Sequence, residues 1–534
     1  MTICDPACGS GAFLNQALEF LIAEHKLIDE LMTKLLGGEL VLPNVENTIL
    51  ENNLFGVDIN NESVEIAKLS LWLRTAKHGR KLTTLNDNIK CGNSIIDDQQ
   101  VAGNKAFHWE SEFPEVFENG GFDVVIGNPP YGAKLEDQTK SHLTSKYSCF
   151  KGNYDIYSSF MELAFILCKI NSYWGFINPV SWQSGEHYLG VRKYLVDNGK
   201  LEIGIKLPYN VFSDAYVDTG VYIFKKERIE NYKSLVYEFP VNYKKLSDLS
   251  TESNLISLNN NKWVKLESLK IVLNPSFYTI SPKVHSGSIL LSEISKSIRG
   301  ILASKEDIKD SITENLKPYY IGGLYRYIYS DDFCGVHYGE HLKEKPKDFS
   351  FFQGERILIR RLINRRFRVM AAYTEKEFIN KKDLYNLKLI NDNFTLKYIL
   401  AIINSQLISY LKTKGSTTAT KDDFGQLTLT DIRKIPIKSI PMHSQANFVS
   451  KVDLISENKI SFDKLLYSLQ KYIKSIYYLE KLSKKLQNWF ELEFGDFIKE
   501  LNNAIKKSGN SKLTKTDEME WMEIFSTKKS KYKS

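Results

Sequence analysis

The stretch D-P-A-C-G-S-G-A-F-L at residues 5–14 joins a short apolar run to a helical pattern through two glycines. Gly9 and Gly11 let the backbone turn tightly and approach a ligand with no Cβ in the way. The helix that follows offers free N–H groups and the positive end of its dipole, which suit a carboxylate. The stretch has neither the third glycine of a dinucleotide fingerprint nor the lysine of a Walker loop. It predicts a ligand-binding turn between a strand and a helix, and a plain glycine turn is the alternative.

Outward from this turn, residues 1–225 alternate short apolar runs with helical patterns, which predicts parallel strands joined by crossover helices. The strand-like runs are I-C before Asp5, L-F-G-V-D at 54–58, F-D-V-V-I-G at 122–127, W-G-F-I at 174–177 and V-Y-I-F at 221–224. Helical spacing of apolar residues occurs at 10–24, 61–78 and 155–170. The pattern is typical of a Rossmann-like α/β domain with a mostly parallel sheet.

A second motif, G-V-D-I-N at 56–60, places Asp58 at the end of a strand. A carboxylate at the tip of the second strand of a doubly wound sheet can accept hydrogen bonds from ribose hydroxyls. Its alternative role is to cap the helix that begins near Asn60, and the two roles are compatible.

A third motif, G-N-P-P-Y at 127–131, follows the strand F-D-V-V-I. The two prolines fix the backbone and remove two donors, so that Asn128 is held extended with its side chain and the neighbouring carbonyls free. An amide and a carbonyl together can accept both protons of an exocyclic amine, and Tyr131 can stack on a base taken out of its helix. The alternative is an Asn-Pro turn with a packing tyrosine.

The three motifs, in this order, resemble the gamma class of amino-methyltransferases, especially the TaqI-type DNA adenine methyltransferases and the large restriction–modification methylases built on them. The resemblance implies methyl transfer from S-adenosylmethionine to N6 of an adenine that is flipped out of double-stranded DNA. It also implies a Rossmann-like catalytic domain that ends in an antiparallel hairpin. The loop residues Asn128, Pro129, Pro130 and Tyr131 would be catalytic.

The same resemblance implies a cofactor site. Its residues would be Asp5, Pro6, Ala7, Gly9 and Gly11 around the methionine end, Asp58 and Ile59 at the ribose, and Asn93 and Ser94 near the adenine. Asn93 stands in C-G-N-S-I at 91–95, where the family normally has Gly-Asp. An amide can still pair with the adenine amino group.

Further likenesses extend downstream. The segments Y-D-I-Y-S-S-F-M-E at 154–162 and G-F-I-N-P-V-S-W at 175–182 resemble the helix and strand that follow the catalytic loop in this family. The segment 211–224 resembles the final hairpin, in which Phe212 matches the aromatic residue that stacks on the other face of the flipped base. A core phenylalanine of the hairpin is the alternative for Phe212.

Residues 226–285 are polar and rich in Asn, Lys and Ser, which predicts a linker and the start of a second domain. Residues 286–440 resemble the TaqI-like specificity domain through 316–327, 354–362, 383–387 and 398–407. A helical tail is predicted for 441–534.

Basic residues in this second region could contact DNA phosphates. The candidates are Arg360, Arg361, Arg365, Lys412, Lys414 and Lys421, with Arg366 and Arg368 nearby. Polar side chains of the loop 415–426 could reach base edges. A solvated cationic surface is the alternative for each basic residue.

Composition sets the broad class. The chain of 534 residues is 43% hydrophobic and 25% charged, with a formal net charge of +7. This mild basic excess permits a polyanionic partner without requiring one. No apolar run is long enough for a membrane span, and the start does not resemble a signal peptide, so we expect a cytoplasmic protein with no membrane partner. The six cysteines are scattered, and we expect no metal site.

The glycine motif begins at residue 5, whereas TaqI-type proteins carry a helical segment and a short cofactor-closing motif before it. Three explanations stay open: a downstream piece of a split gene, a separate polypeptide that supplies the segment, or an inactive remnant. A restriction nuclease could likewise be fused upstream or act separately. The rival functions are a catalytically incomplete DNA-binding fragment or subunit, and an N-P-P-Y methyltransferase acting on glutamine amides or RNA guanine. The latter enzymes lack a recognition domain of this size.

Overall fold

The computed structural model describes residues 1–36, 45–76, 84–208, 211–212, 217–239, 255–266, 269–342, 348–363, 367–415 and 425–533. The chain forms two compact units. The first comprises Met1–Ser286 and Tyr410–Gln426, and the second comprises Gly287–Ser409 and Leu427–Ser534.

Within its described residues, the first unit is built on a nine-stranded sheet. Its strands are β1 (Ile3–Asp5), β2 (Leu54–Asp58), β3 (Ile89–Cys91), β4 (Phe122–Gly127), β5 (Cys168–Pro179), β6 (Lys200–Lys206), β7 (Thr219–Lys225), β8 (Lys233–Glu238) and β9 (Ile256–Asn259). The strand order is β3-β2-β1-β4-β5-β7-β6-β8-β9. The first five strands in this order run parallel, and β7 is antiparallel to both β5 and β6. The predicted Rossmann-like sheet is therefore confirmed.

Helices lie between these strands or follow the last of them. They are α1 (Ala12–Leu36), α2 (Val45–Asn52), α3 (Asn61–Thr75), α4 (Gln99–Ala102), α5 (Trp109–Glu112), α6 (Pro114–Glu118), α7 (Asp137–Lys146), α8 (Ile156–Leu167), α9 (Leu189–Asn198), α10 (Asn261–Val264) and α11 (Pro275–His285). The start of α3 has a clear local cause, because the Asn60 side chain accepts hydrogen bonds from the backbone N–H groups of Glu62 and Ser63 at 2.8 and 3.2 Å.

The strand order places the glycine turn after β1 beside the Asn-Pro-Pro-Tyr loop after β4. Strand β1 lies between β2 and β4, with Cys4 opposite Phe55 on one side and Val125 on the other. The connections after β1 and β4 leave the same edge of the sheet, since the strands are parallel. Ligands of doubly wound sheets bind at such a point, where neighbouring strands connect in opposite directions.

The far side of β4 is anchored by aromatic packing. Trp174 on β5 stacks on Phe224 of β7 with ring centroids 4.7 Å apart, and both side chains are buried. This antiparallel β5–β7 pair supports the parallel half of the sheet. Burial of large aromatic side chains is the main stabilising contribution here.

The region 226–285, predicted as a linker and the start of a second domain, contains regular structure among its described residues. Strands β8 and β9 extend the first sheet, and the first unit runs to Ser286. The polar composition is misleading because only alternate residues of β8, Ser234 and Val236, are buried. Asn260 is likewise buried, and its side chain hydrogen bonds to backbone groups of the same unit.

One segment of the predicted recognition domain over 286–440 groups with the first unit. Residues Tyr410–Gln426 belong to the first unit. The Tyr410 hydroxyl donates to the side chain of Asn274 at 3.2 Å, and the ammonium group of Lys414 lies 2.9 Å from the Glu238 carboxylate. These long-range contacts cannot be read from local composition.

The second unit contains three smaller sheets within its described residues. Their strands are β10 (Ser288–Leu290), β11 (Ser295–Arg299), β12 (Ile308–Lys309), β13 (Lys317–Tyr320), β14 (Phe333–Val336), β15 (Arg356–Arg360), β16 (Ala371–Thr374), β17 (Ile379–Asn380), β18 (Leu384–Leu389) and β19 (Pro436–Lys438). The orders are β10-β19, β11-β18-β15-β16 and β12-β14-β13-β17.

The remaining helices are α12 (Leu291–Ile294), α13 (Leu396–Ile403), α14 (Gln406–Lys414), α15 (Leu429–Arg433), α16 (Met442–Tyr477), α17 (Lys484–Gln487), α18 (Phe494–Lys507) and α19 (Lys515–Lys533). The last four pack around Trp489, Phe497 and Trp521. Across the described residues, no helix is both long and apolar enough to cross a membrane.

Candidate active site

The turn after β1 is closed by two carboxylates. The N–H of Ala7 donates to Asp5 Oδ1 at 3.0 Å, and the N–H of Gly9 donates to Asp58 Oδ2 at 2.9 Å. Gly9 and Gly11 have φ of +52° and +83°, which L-residues with a side chain adopt at a cost. A Cβ on Gly11 would lie 3.1 Å from the Cβ of Ala67 on α3, so this glycine also lets the turn pack closely.

Asp58 supports both the glycine turn and the start of α3, and its role toward a ribose stays a prediction. One oxygen holds Gly9, and the other accepts the backbone N–H of Asn60 at 2.9 Å, beside the start of α3. A carboxylate has roughly four acceptor positions, so both oxygens can still accept a further hydrogen bond. The neighbouring Ile59 side chain is exposed.

The segment after β3 is tied to the same turn. The Ser94 hydroxyl donates to the carbonyl oxygen of Pro6, and the Ser94 carbonyl accepts the indole N–H of Trp109 at 2.8 Å. Asn93 is half-buried, and its side-chain oxygen accepts the N–H of Ile95 at 3.3 Å. The structure thus brings the predicted residues of three strand ends together, and it gives Ser94 a supporting position.

The Asn-Pro-Pro-Tyr loop begins against the glycine turn. A Cβ on Gly127 would lie 2.6 Å from Asp5 Oδ1, so the carboxylate fills the space that a side chain would need. Asn128 Oδ1 is buried, and no donor among the described residues hydrogen bonds to it. Pro129 is buried, Pro130 is exposed and Tyr131 is half-buried.

Burial dominates the electrostatics of this site. It raises the pKa of the Asp5 carboxyl to about 7, against the hydrogen bond from Ala7 and with a further contribution from the negative charge of Asp58. Burial also raises the pKa of the Tyr131 hydroxyl, which stays neutral at physiological pH. A carboxylate held in this way favours a cationic group beside it.

The remaining predicted residues are less closely connected to this edge. Phe212 is half-buried at the margin of a described segment, and its pairing with Tyr131 stays a prediction. In the second unit, Arg360 is half-buried at the end of β15, and Arg361 lies 3.7 Å from Asp383. Arg365, Lys421 and most of the loop 415–426 lie outside the described residues.

Helix α14 carries the other two predicted DNA ligands. Lys412 is half-buried there, and Lys414 is engaged by Glu238. Sequence reasoning missed this partner, and it also missed Asp155, whose carboxylate accepts the N–H of Gly132 just after the catalytic loop. The only local signal for Asp155 is an Asp immediately before a helix.

Three family matches cover much of the chain. Residues 52–212 match the Eco57I restriction-modification methylase family, 315–437 match the TaqI-like C-terminal specificity domain, and 441–534 match a domain of unknown function. A Methanocaldococcus jannaschii protein named as a type II restriction enzyme and methyltransferase is 28% identical over 95% of this chain and 54% of its own length.

The chain therefore combines a restriction-modification methylase domain with a TaqI-like specificity domain.

The chain is also 26% identical to the Escherichia coli type II restriction enzyme and methyltransferase RM.Eco57I, over 59% of this chain and 32% of that protein. It spans about half the length of the first of these curated relatives and a third of the second. The MmeI type IIL restriction-modification enzyme, solved with DNA, matches its fold with a TM-score of 0.53 at 13% identity, over 99% of this chain and 73% of that one. A nuclease-deletion mutant of the Type ISP restriction-modification enzyme LlaGI, solved with a DNA substrate mimic, matches the fold with a TM-score of 0.55 at 12% identity. The match covers 86% of this chain and 44% of that one.

Proposed function

We propose that this methylase transfers a methyl group from S-adenosylmethionine to N6 of adenine in double-stranded DNA, with the target base flipped out of the helix. The observation that carries the proposal is Asn128 Oδ1, which is buried and accepts no hydrogen bond from any described residue. A buried acceptor without a partner is costly, and the proton of a bound amine would satisfy it.

The chemistry follows from what surrounds that oxygen. Asn128 Oδ1 accepts one amine proton and the Pro129 carbonyl accepts the other, which directs the nitrogen lone pair away from the loop. The Tyr131 ring stacks on the flipped adenine, and Phe212 covers its other face. S-adenosylmethionine supplies an electrophilic methyl group on a sulfonium sulfur. Positioning and a preorganised polar environment are the contribution of the protein.

The glycine turn fits this cofactor. Apart from its chain neighbours, no atom among the described residues lies within 4 Å of the position of a Cβ on Gly9, so there is open space beside its backbone. Asp5 at the end of β1 would face the cationic groups of the methionine end, and their charge would favour the ionised form of its carboxyl. Asp58 retains acceptor positions for ribose hydroxyls, and the half-buried Asn93 is the candidate partner of the adenine.

DNA binding rests on the specificity domain and on its basic residues. Arg360, Arg361, Arg365, Lys412, Lys414 and Lys421 remain the candidate phosphate ligands, with the Lys414–Glu238 ion pair weighing against Lys414. Because the chain spans about half of its first curated relative, we also propose that a restriction nuclease or a further cofactor-closing segment acts with it, on the same or a separate polypeptide.

The test is methyl transfer by the purified chain. Unmethylated plasmid DNA is incubated with radiolabelled S-adenosylmethionine, and the modified base is identified by mass spectrometry. We expect N6-methyladenine, and Asn128→Ala should abolish it while DNA binding stays largely intact. Asn119→Ala is the matched control, because that side chain only donates to the carbonyl of Glu115.

Other results would point elsewhere. Methylcytosine as the product would overturn the adenine assignment, and modification of RNA or of a glutamine-containing peptide in place of DNA would overturn the substrate. No binding of S-adenosylmethionine, with or without DNA, would favour a catalytically incomplete DNA-binding subunit. Equal loss of DNA binding in Asn128→Ala would contradict the division of roles between loop and specificity domain.

A further inference from the structure

The end of the catalytic loop is fastened by a carboxylate from another part of the fold. The backbone N–H of Gly132, next to Tyr131, donates to Asp155 Oδ1 at 3.0 Å. Gly132 has a φ of +69°, and apart from its chain neighbours no atom among the described residues lies within 4 Å of the position that a Cβ would take. Its conformation is therefore not imposed by side-chain packing at that point, and the hydrogen bond to Asp155 is the observed restraint.

Asp155 is itself held rigidly. Its N–H donates to Asn153 Oδ1 at 2.8 Å, and its carbonyl accepts both the N–H and the hydroxyl of Ser158 at 3.1 and 2.6 Å. The preceding residue, Tyr154, has a φ of +53°, which is unfavourable for a tyrosine and persists only where neighbouring contacts fix it. The carboxylate direction is thus set by the backbone on both sides.

The helix behind Asp155 makes this support firm. Helix α8 is buried along most of its length, including Tyr157, Phe160 and Met161. It packs against β4, the strand that ends in the catalytic loop, and against β5. Asp155 therefore links the start of α8 to the loop that follows β4.

The carboxylate of Asp155 is half-buried and is balanced by backbone N–H groups. Burial raises the pKa of the Asp155 carboxyl against backbone hydrogen bonds from Gly132, Tyr157 and Ile156, and no lysine or arginine charge among the described residues contributes. Burying a carboxylate without a cation costs free energy, which backbone N–H donors offset. One of those donors is the N–H of Gly132, so the free energy of burying the carboxylate depends on where the loop lies.

We propose that Asp155 is a positioning residue that holds the Asn128–Tyr131 loop in its reactive conformation through Gly132. This inference rests on the proposed methyl transfer and extends it to a residue outside the three motifs. Displacement of reacting groups by about 1 Å can cost about 100-fold in rate.

The test compares Asp155→Ala with Asp155→Asn. The alanine variant should lower kcat about 10- to 100-fold, with KM for S-adenosylmethionine and Kd for DNA changed less than about 3-fold. The asparagine variant should recover kcat to within about 5-fold of the original, because its amide oxygen can still accept the Gly132 N–H. Asp98→Ala is the matched control, since that carboxylate accepts a backbone N–H at the start of α4.

Hydrogen–deuterium exchange gives a readout that does not depend on activity. Peptides covering 128–136 should exchange faster in Asp155→Ala, while peptides of β4 and α8 keep their protection. Unchanged exchange in the loop, or equal loss of protection in α8, would overturn the proposal. A chain that transfers no methyl group would defeat the proposed function, and exchange would still decide whether Asp155 restrains the loop.

Discussion

Asp5 Oδ1 occupies the space in which a side chain on Gly127 would lie, 2.6 Å from the position of its Cβ. Asp5 ends β1 and Gly127 ends β4, so the carboxylate of one strand determines which residue the next strand can carry. This contact joins the glycine turn to the Asn-Pro-Pro-Tyr loop. A substitution at either residue should therefore alter the conformation of both motifs.

Gly127→Ala should lower methyl transfer at least about 10-fold and destabilise the fold by about 1–3 kcal/mol, the usual cost of inserting a methyl group into filled space. Initial rates and the midpoint of thermal unfolding measure the two effects. Gly175→Ala in β5 is the control, because its Cβ would first meet Ile223 Cγ1 at 3.5 Å, an ordinary contact. Equal rates for Gly127→Ala and the original chain would show that Asp5 moves aside freely.

The raised pKa of Asp5, about 7, predicts an unusual pH dependence of stability. In the unfolded chain the carboxyl ionises near pH 4, whereas the folded chain keeps its proton up to about pH 7. The unfolded state therefore binds fewer protons in this window, and the Asp5 contribution to stability falls as pH rises from 4 to 7. Asp5→Asn should remove this loss, so its unfolding temperature relative to the original chain should increase from pH 5 to pH 8.

Asp123→Asn supplies the contrast. Burial is the largest single influence on Asp123 and opposes its ionisation, but the hydrogen bonds from Lys169 and Thr2 and the charge of Lys169 together outweigh burial and lower the pKa of the carboxyl. Its carboxylate stabilises the fold above the unfolded pKa and loses that contribution as pH falls through the folded value. The asparagine variant should therefore lose stability relative to the original chain at pH 8. A parallel pH trend for the two variants would contradict the assignment for Asp5.

The parallel half of the sheet was predictable because its strands are continuous apolar runs that end in distinctive residues. Asn60, a good cap in isolation, caps α3 as expected. These features depend on neighbours in sequence. The same is true of the glycine turn, whose positive φ values require residues without a side chain.

Other parts of the molecule depend on partners far apart in the chain. Strand β8 buries only alternate residues, so its composition resembles that of a linker. Arg356 lies in a basic segment, yet it is buried and donates to the backbone carbonyls of Gly354, Lys376 and Phe378. Charge alone could not separate this core arginine from a DNA ligand.

Asp58→Ala should weaken binding of a cofactor analogue such as sinefungin at least about 10-fold, because it removes the acceptor that holds the Gly9 N–H. Asp58→Asn keeps one acceptor oxygen and should lose less affinity. Isothermal titration calorimetry measures both, with Glu62→Ala, an exposed acid in the first turn of α3, as the control. Full affinity in Asp58→Ala would exclude a role for this carboxylate in cofactor binding.

Tyr131→Ala should lower kcat about 10- to 100-fold, since stacking of a base on an aromatic ring contributes about 1–3 kcal/mol. Tyr131→Phe keeps the ring and should stay within about 3-fold of the original rate. DNA affinity from fluorescence anisotropy should change little in either variant. Tyr173→Ala is the control, because this exposed residue lies on β5 away from the loop. A Tyr131→Phe variant as slow as Tyr131→Ala would indicate that the hydroxyl, and not the ring, is required.

The sequence predicts that Lys414 binds DNA phosphates, but its ion pair with Glu238 predicts a structural role. Burial alone would raise the pKa of Glu238, but the charges of Lys206 and Lys414 and the hydrogen bonds from Lys414 and Asn274 together hold that pKa below its ordinary value. The ionised Glu238 thus stabilises the fold above pH 4–5, the range of a free glutamate, and this contribution is lost as pH falls through the folded value. Lys414→Ala should cost about 1–3 kcal/mol at pH 7 and less at acidic pH.

The matched comparison for Lys414→Ala is Arg360→Ala, read by the dependence of DNA affinity on salt concentration. Loss of one phosphate contact lowers the slope of log K against log salt by about one. Arg360→Ala should show this change with little loss of stability, whereas Lys414→Ala should lose stability and keep the slope. The opposite pattern would make Lys414 the phosphate ligand and would mean that its ion pair with Glu238 opens when DNA binds.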